Sequence, residues 1–257
     1  MLAKIKKKTF NMSLIIPSWN APNNVKAFAS TRVGGFSTGA YQGLNLGTHV
    51  GDDASLVENN RTWLKQQANM PAAPVWLNQT HSTDIITVLE PMASVLDADG
   101  AFTTAKGVVC SAMTADCLPV ILTDTNGTQV AAVHAGWRGL AGGILENAVA
   151  KFSNLDSENK IIAWLGPAIG KQAFEVGDDV LEAFVSFDPQ AKLAFKAKTE
   201  PGKWLANMSQ LATQRLAKVG VSEVTDSNLC TFADPDSFYS YRRDGITGRQ
   251  ATFIWLE

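Results

Sequence analysis

The sequence predicts an α+β fold: strand pairs are joined by short hairpin signals, helical patterns fall irregularly between them, and no steady strand–helix alternation marks a doubly wound sheet. Apolar residues make up 46% of the 257, enough to fill a core without disulfides. No internal repeat, low-complexity tract or Pro/Ser-rich linker divides the chain. One catalytic domain over residues 14–257 is therefore expected, preceded by a disordered basic tail over residues 1–13.

The tail carries Lys4, Lys6, Lys7 and Lys8 ahead of an apolar stretch of only Met12 to Ile16, which Pro17 ends. That stretch is too short for a signal-peptide core, and Met12 offers an alternative start. A strand is expected over residues 25–31. The glycine-rich residues 34–51 fit neither regular structure and read as a long functional loop. Asp53 is placed to cap a helix over residues 54–68, where Leu56, Val57, Trp63 and Leu64 recur on one face. Strands follow over residues 75–80, 85–89, 108–113 and 120–123. Asn126-Gly127 then turns the chain into a returning strand over residues 129–133, which delivers His134 to a strand-to-helix corner. The next helix is expected to begin near Gly142 and to bury Ile144, Leu145, Ala148, Val149 and Phe152. Residues 161–165 read as a buried strand, residues 207–219 as an amphipathic helix stopped by Gly220, and residues 249–256 as the closing strand.

Chemistry concentrates between residues 81 and 134. The chain holds three histidines and three cysteines, and His81, Cys110, Cys117 and His134 all fall in that window. His81 closes one apolar run and His134 another, so both imidazoles can meet at one sheet edge. Pro119 disfavours helix at its predecessor and is expected to bend the chain just after Cys117, aiming the sulfur outward. Two imidazoles and a thiolate suit Zn2+, whose catalytic sites keep three protein ligands and one open position. The spacing holds no CxxC or HxxxH pair, so the residues alone leave open a second reading, in which the trio are core side chains. Cys110 reads as a structural core residue, and Cys230 and His49 as packing or loop residues. The segment from Gly35 through Ser37 to Gly39 spells a G-x-S-x-G elbow, but more glycine loop follows where a helix is required.

Arg32, Arg138, Arg242 and Arg243 stand beside glycine-rich turns, where backbone amides and guanidinium forks can hold an anion of phosphate size. Arg138 also precedes the helix expected near Gly142, whose N-terminus favours an anion. A net charge of −2 and a pI of about 5.9 provide no basic field for nucleic acid or an anionic membrane. No window approaches the roughly 18 consecutive apolar residues of a membrane span. A small-molecule partner in the cytoplasm is expected, and few, odd-numbered cysteines fit a reducing compartment.

Six short motifs occur in order: Ser30 to Gly35 (STRVGG), Leu44 to Gly47 (LNLG), Gln79 to His81 (QTH), Ala115 to Pro119 (ADCLP), His134 to Gly139 (HAGWRG) and Tyr241 to Gly245 (YRRDG). Together they resemble the YfiH family, also called laccase-domain, polyphenol oxidase or peptidoglycan editing factor-like proteins, from about Phe28 to Leu256. The resemblance implies a four-layer α/β/β/α sandwich with mixed sheets and a zinc site on His81, Cys117 and His134. It further implies phosphorolysis of adenosine, inosine and methylthioadenosine with inorganic phosphate, and accompanying adenosine deaminase activity. In that scheme Cys117, Asp116 and His134 are the catalytic candidates, Asp116 orienting a ligand or moving a proton. Arg32, Asn45, Gln79, Arg138 and Arg243 are the candidates for phosphate and substrate.

The laccase name meets a physical obstacle. A multicopper oxidase needs an electron-transfer copper and a three-copper cluster, and three histidines cannot supply both. A single Cu2+ can still occupy the trio adventitiously. The resemblance also admits a hydrolase editing cytoplasmic peptidoglycan precursors, with Cys117 as nucleophile and His134 as base. Metal content separates the two, because a thiolate committed to zinc is a poor nucleophile. A purely binding role would show no turnover of any nucleoside.

Overall fold

Period-two alternation of apolar side chains along the strands builds two sheets that share one dry layer and present a second apolar face outward. The computed structural model describes residues 13–257; apart from Ser13, the expected tail lies outside the described residues. One sheet takes the order Leu14–Ile15, Val25–Ser30, Gln250–Leu256, Cys110–Thr114, all antiparallel. The other takes the order Glu223–Asp226, Ile161–Leu165, Leu118–Asp124, Val130–Ala135, Gly100–Thr103, Ile85–Thr87, antiparallel in the middle and parallel at both edges.

Between the sheets Cys110, Ala112 and Ile254 meet Ile121, Ala132 and Trp164. Alternate residues of the same strands, Leu118, Val120, Leu122 and Val133, face outward against helices Trp137–Gly142, Ile144–Val149, Asp178–Val185 and Met208–Lys218. On the opposite surface Phe28, Phe253 and Trp255 pack against Leu64 of helix Ala54–Gln67. Helix, sheet, sheet and helix thus make the four layers.

Local chemistry sets the ends of these elements. Asp53 accepts the Ser55 N–H and starts its helix; Asn207 does the same through the Gln210 N–H. Gly127, at φ +64°, closes the hairpin, while the Asp124 carboxylate collects the Thr128 and Gln129 amides.

Three expectations are corrected. The strand over residues 75–80 shrinks to Leu77–Asn78 plus a bridge from Val75 to Cys110. The helix expected near Gly142 is Ile144–Val149, but it stops before Phe152 and is preceded by a second helix, Trp137–Gly142, from which Gly143 at φ +99° divides it. The bend at Cys117 lies before the thiol, at Asp116 with φ +94°. Pro119's preference for an extended predecessor is met by the strand itself, in register with His134. A further antiparallel sheet of Glu175–Gly177, Lys203–Ala206 and Phe195–Ala197 is present beyond the expected strands. Among the described residues, no helix is long and apolar enough to cross a membrane.

Candidate metal centre

His134 shares its strand parity with Val130 and Ala132, so its ring emerges on the side turned toward the facing sheet, at the strand's end. Cys117 precedes the adjacent strand, whose Leu118 pairs with Ala135. His81 follows Leu77–Asn78 on a loop and adopts a left-handed φ of +63°. One ligand atom from each of the three residues lies within 4.8 Å of the others. The two rings stand edge to face with centroids 4.8 Å apart, and Cys117 Sγ is 3.7 Å from His81 Nε2. Gly136 makes this approach feasible, since a Cβ there would sit 2.5 Å from His81 Cδ2 and 3.3 Å from the sulfur.

Asp99 organises both histidines. Its Oδ1 accepts from His134 Nδ1 at 2.8 Å and from the His81 N–H at 3.0 Å. Its Oδ2 accepts the Ser82 N–H, the Ser82 hydroxyl and the Thr80 N–H. The carboxylate is only 1% exposed. Burial alone would raise its pKa, but the bonds from His134 and Ser82 outweigh that and hold it at about 2. An acceptor-only carboxylate fixes the proton on His134 Nδ1 and leaves Nε2 for the trio. Burial opposes ionisation of Cys117 and His134 alike. The charge on each outweighs it, so the thiol is pulled down and the imidazole pushed up.

Two imidazole nitrogens and a thiolate, with a carboxylate behind one imidazole, make a group that could hold a metal ion. The trio lies in a cavity of about 390 Å³ that His49, Gln79, Met113, Tyr241 and Arg249 also line. A larger depression of about 870 Å³ is lined by Arg32 and the glycine loop and contains none of the trio.

The other candidates from the sequence are placed as follows. Gln79 reaches the cavity, with its amide paired to both backbone groups of Met113. Asp116 is not among the cavity residues. Its carboxylate accepts from the Thr231 hydroxyl, the Ser240 hydroxyl and the Arg242 N–H, so it anchors that loop, and the orienting contact on the trio belongs to Asp99. Asn45 is fully buried. Arg32 donates to Pro235 and Gln42 carbonyls and stacks on Tyr239. Arg243 is spent on the carbonyls of Thr231, Phe232 and Phe238 and on Asp244. Arg138 is exposed and stacks on Trp137. Arg242 donates to the Glu175 carbonyl.

Cys110 stays a core side chain, its thiol pushed up to about 12 by burial. Cys230 accepts the Gly170 N–H away from the cavity. Ser37 is tied to Asp52, with no imidazole bonded to it. His49 lies in a turn, as expected of a loop residue, and also lines the cavity. Asp99, Tyr241 and Arg249 were missed as site residues. The one local signal for Asp99 was a carboxylate directly before the apolar Gly100–Thr103 strand.

Residues 26–257 match the family described as multi-copper polyphenol oxidoreductase laccase. A Haemophilus influenzae protein named purine nucleoside phosphorylase is 50% identical over 247 residues, covering 96% of this chain and 100% of that one. An Escherichia coli protein named purine nucleoside phosphorylase YfiH is 50% identical over 244 residues, with 95% and 98% covered. The crystal structure of a Neisseria meningitidis protein superposes with a TM-score of 0.90 at 48% identity, covering 95% of this chain and 99% of its own. YlmD from Geobacillus stearothermophilus does so with a TM-score of 0.85 at 32% identity, covering 91% and 93%. By sequence over nearly its whole length and by fold, the chain belongs to the YfiH family.

Proposed function

We propose that this protein is a cytoplasmic, zinc-dependent purine nucleoside phosphorylase acting on adenosine, inosine and methylthioadenosine, and that it also deaminates adenosine. The observation that carries the reading is the convergence of His81, Cys117 and His134 in a cavity of about 390 Å³. That volume falls in the range of small-molecule sites, roughly 300–1,000 Å³. The names of relatives at 50% identity support the same substrate class. Bound on the trio, zinc supplies Lewis acidity toward a substrate heteroatom.

The chain's own residues do the rest. Asp99 keeps both histidines in place, and Gly136 leaves room for them to close. Tyr241, 62% exposed at the cavity, offers a ring face to a purine. In phosphorolysis an oxygen of phosphate bonds to the anomeric carbon as the N-glycosidic bond breaks and its electron pair leaves with the base, giving ribose 1-phosphate. In deamination water replaces the amino group and ammonia leaves. Incubating the zinc-loaded protein with inosine and phosphate should yield hypoxanthine and ribose 1-phosphate in equal amounts; release of free ribose, or no release, contradicts the reading. Tyr241→Ala should raise KM for inosine about tenfold through lost stacking, with kcat less affected. Steady-state kinetics checks this, and an unchanged KM removes Tyr241 from the site.

One observation favours a second reading. Cys117, His134 and Asp99 stand in the order nucleophile, base and orienting carboxylate. A hydrolase acting on an amide of a peptidoglycan precursor would use them so, and would need no metal.

A further inference from the structure

Arg249 is the only arginine among the described residues lining the trio's cavity. One of its nitrogens, Nη1, donates to the carbonyls of Thr247 and Gly248 at 3.1 and 3.0 Å. Among the described residues its Nε and Nη2 have no hydrogen-bond partner, and it makes no ion pair. Arg243 and Arg215, by contrast, are paired to Asp244 and Glu146. Burial strips water from the Arg249 guanidinium and lowers its pKa, while the negative charges of Cys117 and Asp116 pull the other way. A partly desolvated cation beside a cavity, with no ion pair among the described residues and its plane 6.0 Å from the Tyr241 ring centroid, is suited to an anion along its free edge. The edge left open, Nε–H together with Nη2–H, is the one that holds two oxygens of a tetrahedral oxyanion.

The surrounding chain is built around this side chain. Asn45, a buried amide, accepts the Arg249 N–H at 2.9 Å and the Gly47 N–H at 3.0 Å on one oxygen. The Leu46 N–H donates back to the Arg249 carbonyl. Gly47 clears the path of the arginine stem, since a Cβ there would lie 2.8 Å from Arg249 Cγ. The neighbouring Arg61 is already committed, with Nε and Nη2 both on the Leu46 carbonyl and its plane over Trp76. His49 lines the same cavity and adds a ring N–H.

We propose that Arg249, assisted by His49 and clamped by Asn45, forms an oxyanion subsite beside the trio that binds the attacking inorganic phosphate. The assignment rests on the phosphorylase reading for its ligand and replaces the earlier arginine candidates with one the cavity contains.

The test uses the full chain loaded with zinc and titrates inorganic phosphate by calorimetry, alongside phosphorolysis kinetics. Arg249→Ala and Arg249→Gln should weaken phosphate binding and raise KM for phosphate about 30-fold or more, with KM for inosine within about threefold of wild type. Arg249→Lys should fall between them and wild type, since an ammonium keeps the charge and loses the fork. Gly47→Ala, which leaves every charge in place, should raise KM for phosphate by displacing the arginine. Zinc content and Tm are measured on each variant, and if Arg249→Ala does not fold, Arg249→Lys and Gly47→Ala decide. Wild-type phosphate affinity in folded Arg249→Gln, or no phosphate binding by wild type at millimolar concentration, overturns the proposal. Phosphate binding that is lost with Arg249, in a protein that never releases ribose 1-phosphate, keeps the subsite and rejects the phosphorylase reading instead.

Discussion

Cys117→Ser should strip zinc and turnover together. The thiolate is the one anionic donor of the trio, and a neutral hydroxyl is a far weaker ligand. Zinc should fall well below stoichiometric after dialysis, and kcat/KM for inosine should drop on the order of a thousandfold or more. Elemental analysis and the nucleoside assay, run on the same preparation, read both. Cys230→Ser serves as the control, because its sulfur lies outside the cavity on the Gly170 N–H. Full zinc with abolished turnover in Cys117→Ser would move the chemistry to the sulfur itself. A substrate adduct on the wild-type thiol, seen by mass spectrometry, would then establish the hydrolase reading.

The second large effect is expected at Asp99. Its carboxylate is the common acceptor for His134 Nδ1 and for the amides of Thr80, His81 and Ser82. Those amides hold the turn that keeps His81 at its positive φ. Asp99→Ala leaves several buried donors without an acceptor, which should cost about 3 kcal/mol or more of stability, at 1–3 kcal/mol for each group stranded. Zinc affinity should fall about 10- to 100-fold, as it does when the partner of a ligating histidine is removed. Asp99→Asn keeps one acceptor oxygen and should show a milder version of both losses. Denaturant midpoints and competitive zinc titration give the two numbers. A folded Asp99→Asn with wild-type zinc affinity would show that the carboxylate does not orient the ligands.

The convergence of His81, Cys117 and His134 was legible because rare residue types cluster and because both histidines end apolar runs, a pattern that survives without any knowledge of pairing. The sheet strands were legible for the same reason: Ile161–Leu165 and Gln250–Leu256 are apolar enough to declare themselves. What stayed hidden depends on partners distant in sequence. Asp99 acquires its role only when its strand pairs with the one bearing His134, placing Gly100 opposite Val133. Arg249 lines the cavity with its backbone amide held by Asn45, 204 residues earlier. Asp116 was expected to orient a ligand or move a proton at the trio, yet with a positive φ at that residue its carboxylate bonds Thr231 and Ser240. At Arg243 the glycine-flanked turn hides a competing demand, because carbonyls of the same loop take up its donors.

One zinc ion on His81, Cys117 and His134 is proposed to serve phosphorolysis. The most direct measurement strips the metal with a chelator and titrates zinc back while following hypoxanthine release from inosine and phosphate. The stripped protein should show no turnover, and activity should return linearly and saturate at one equivalent of zinc per chain. Full activity without metal, or a requirement for several coppers per chain, would contradict it.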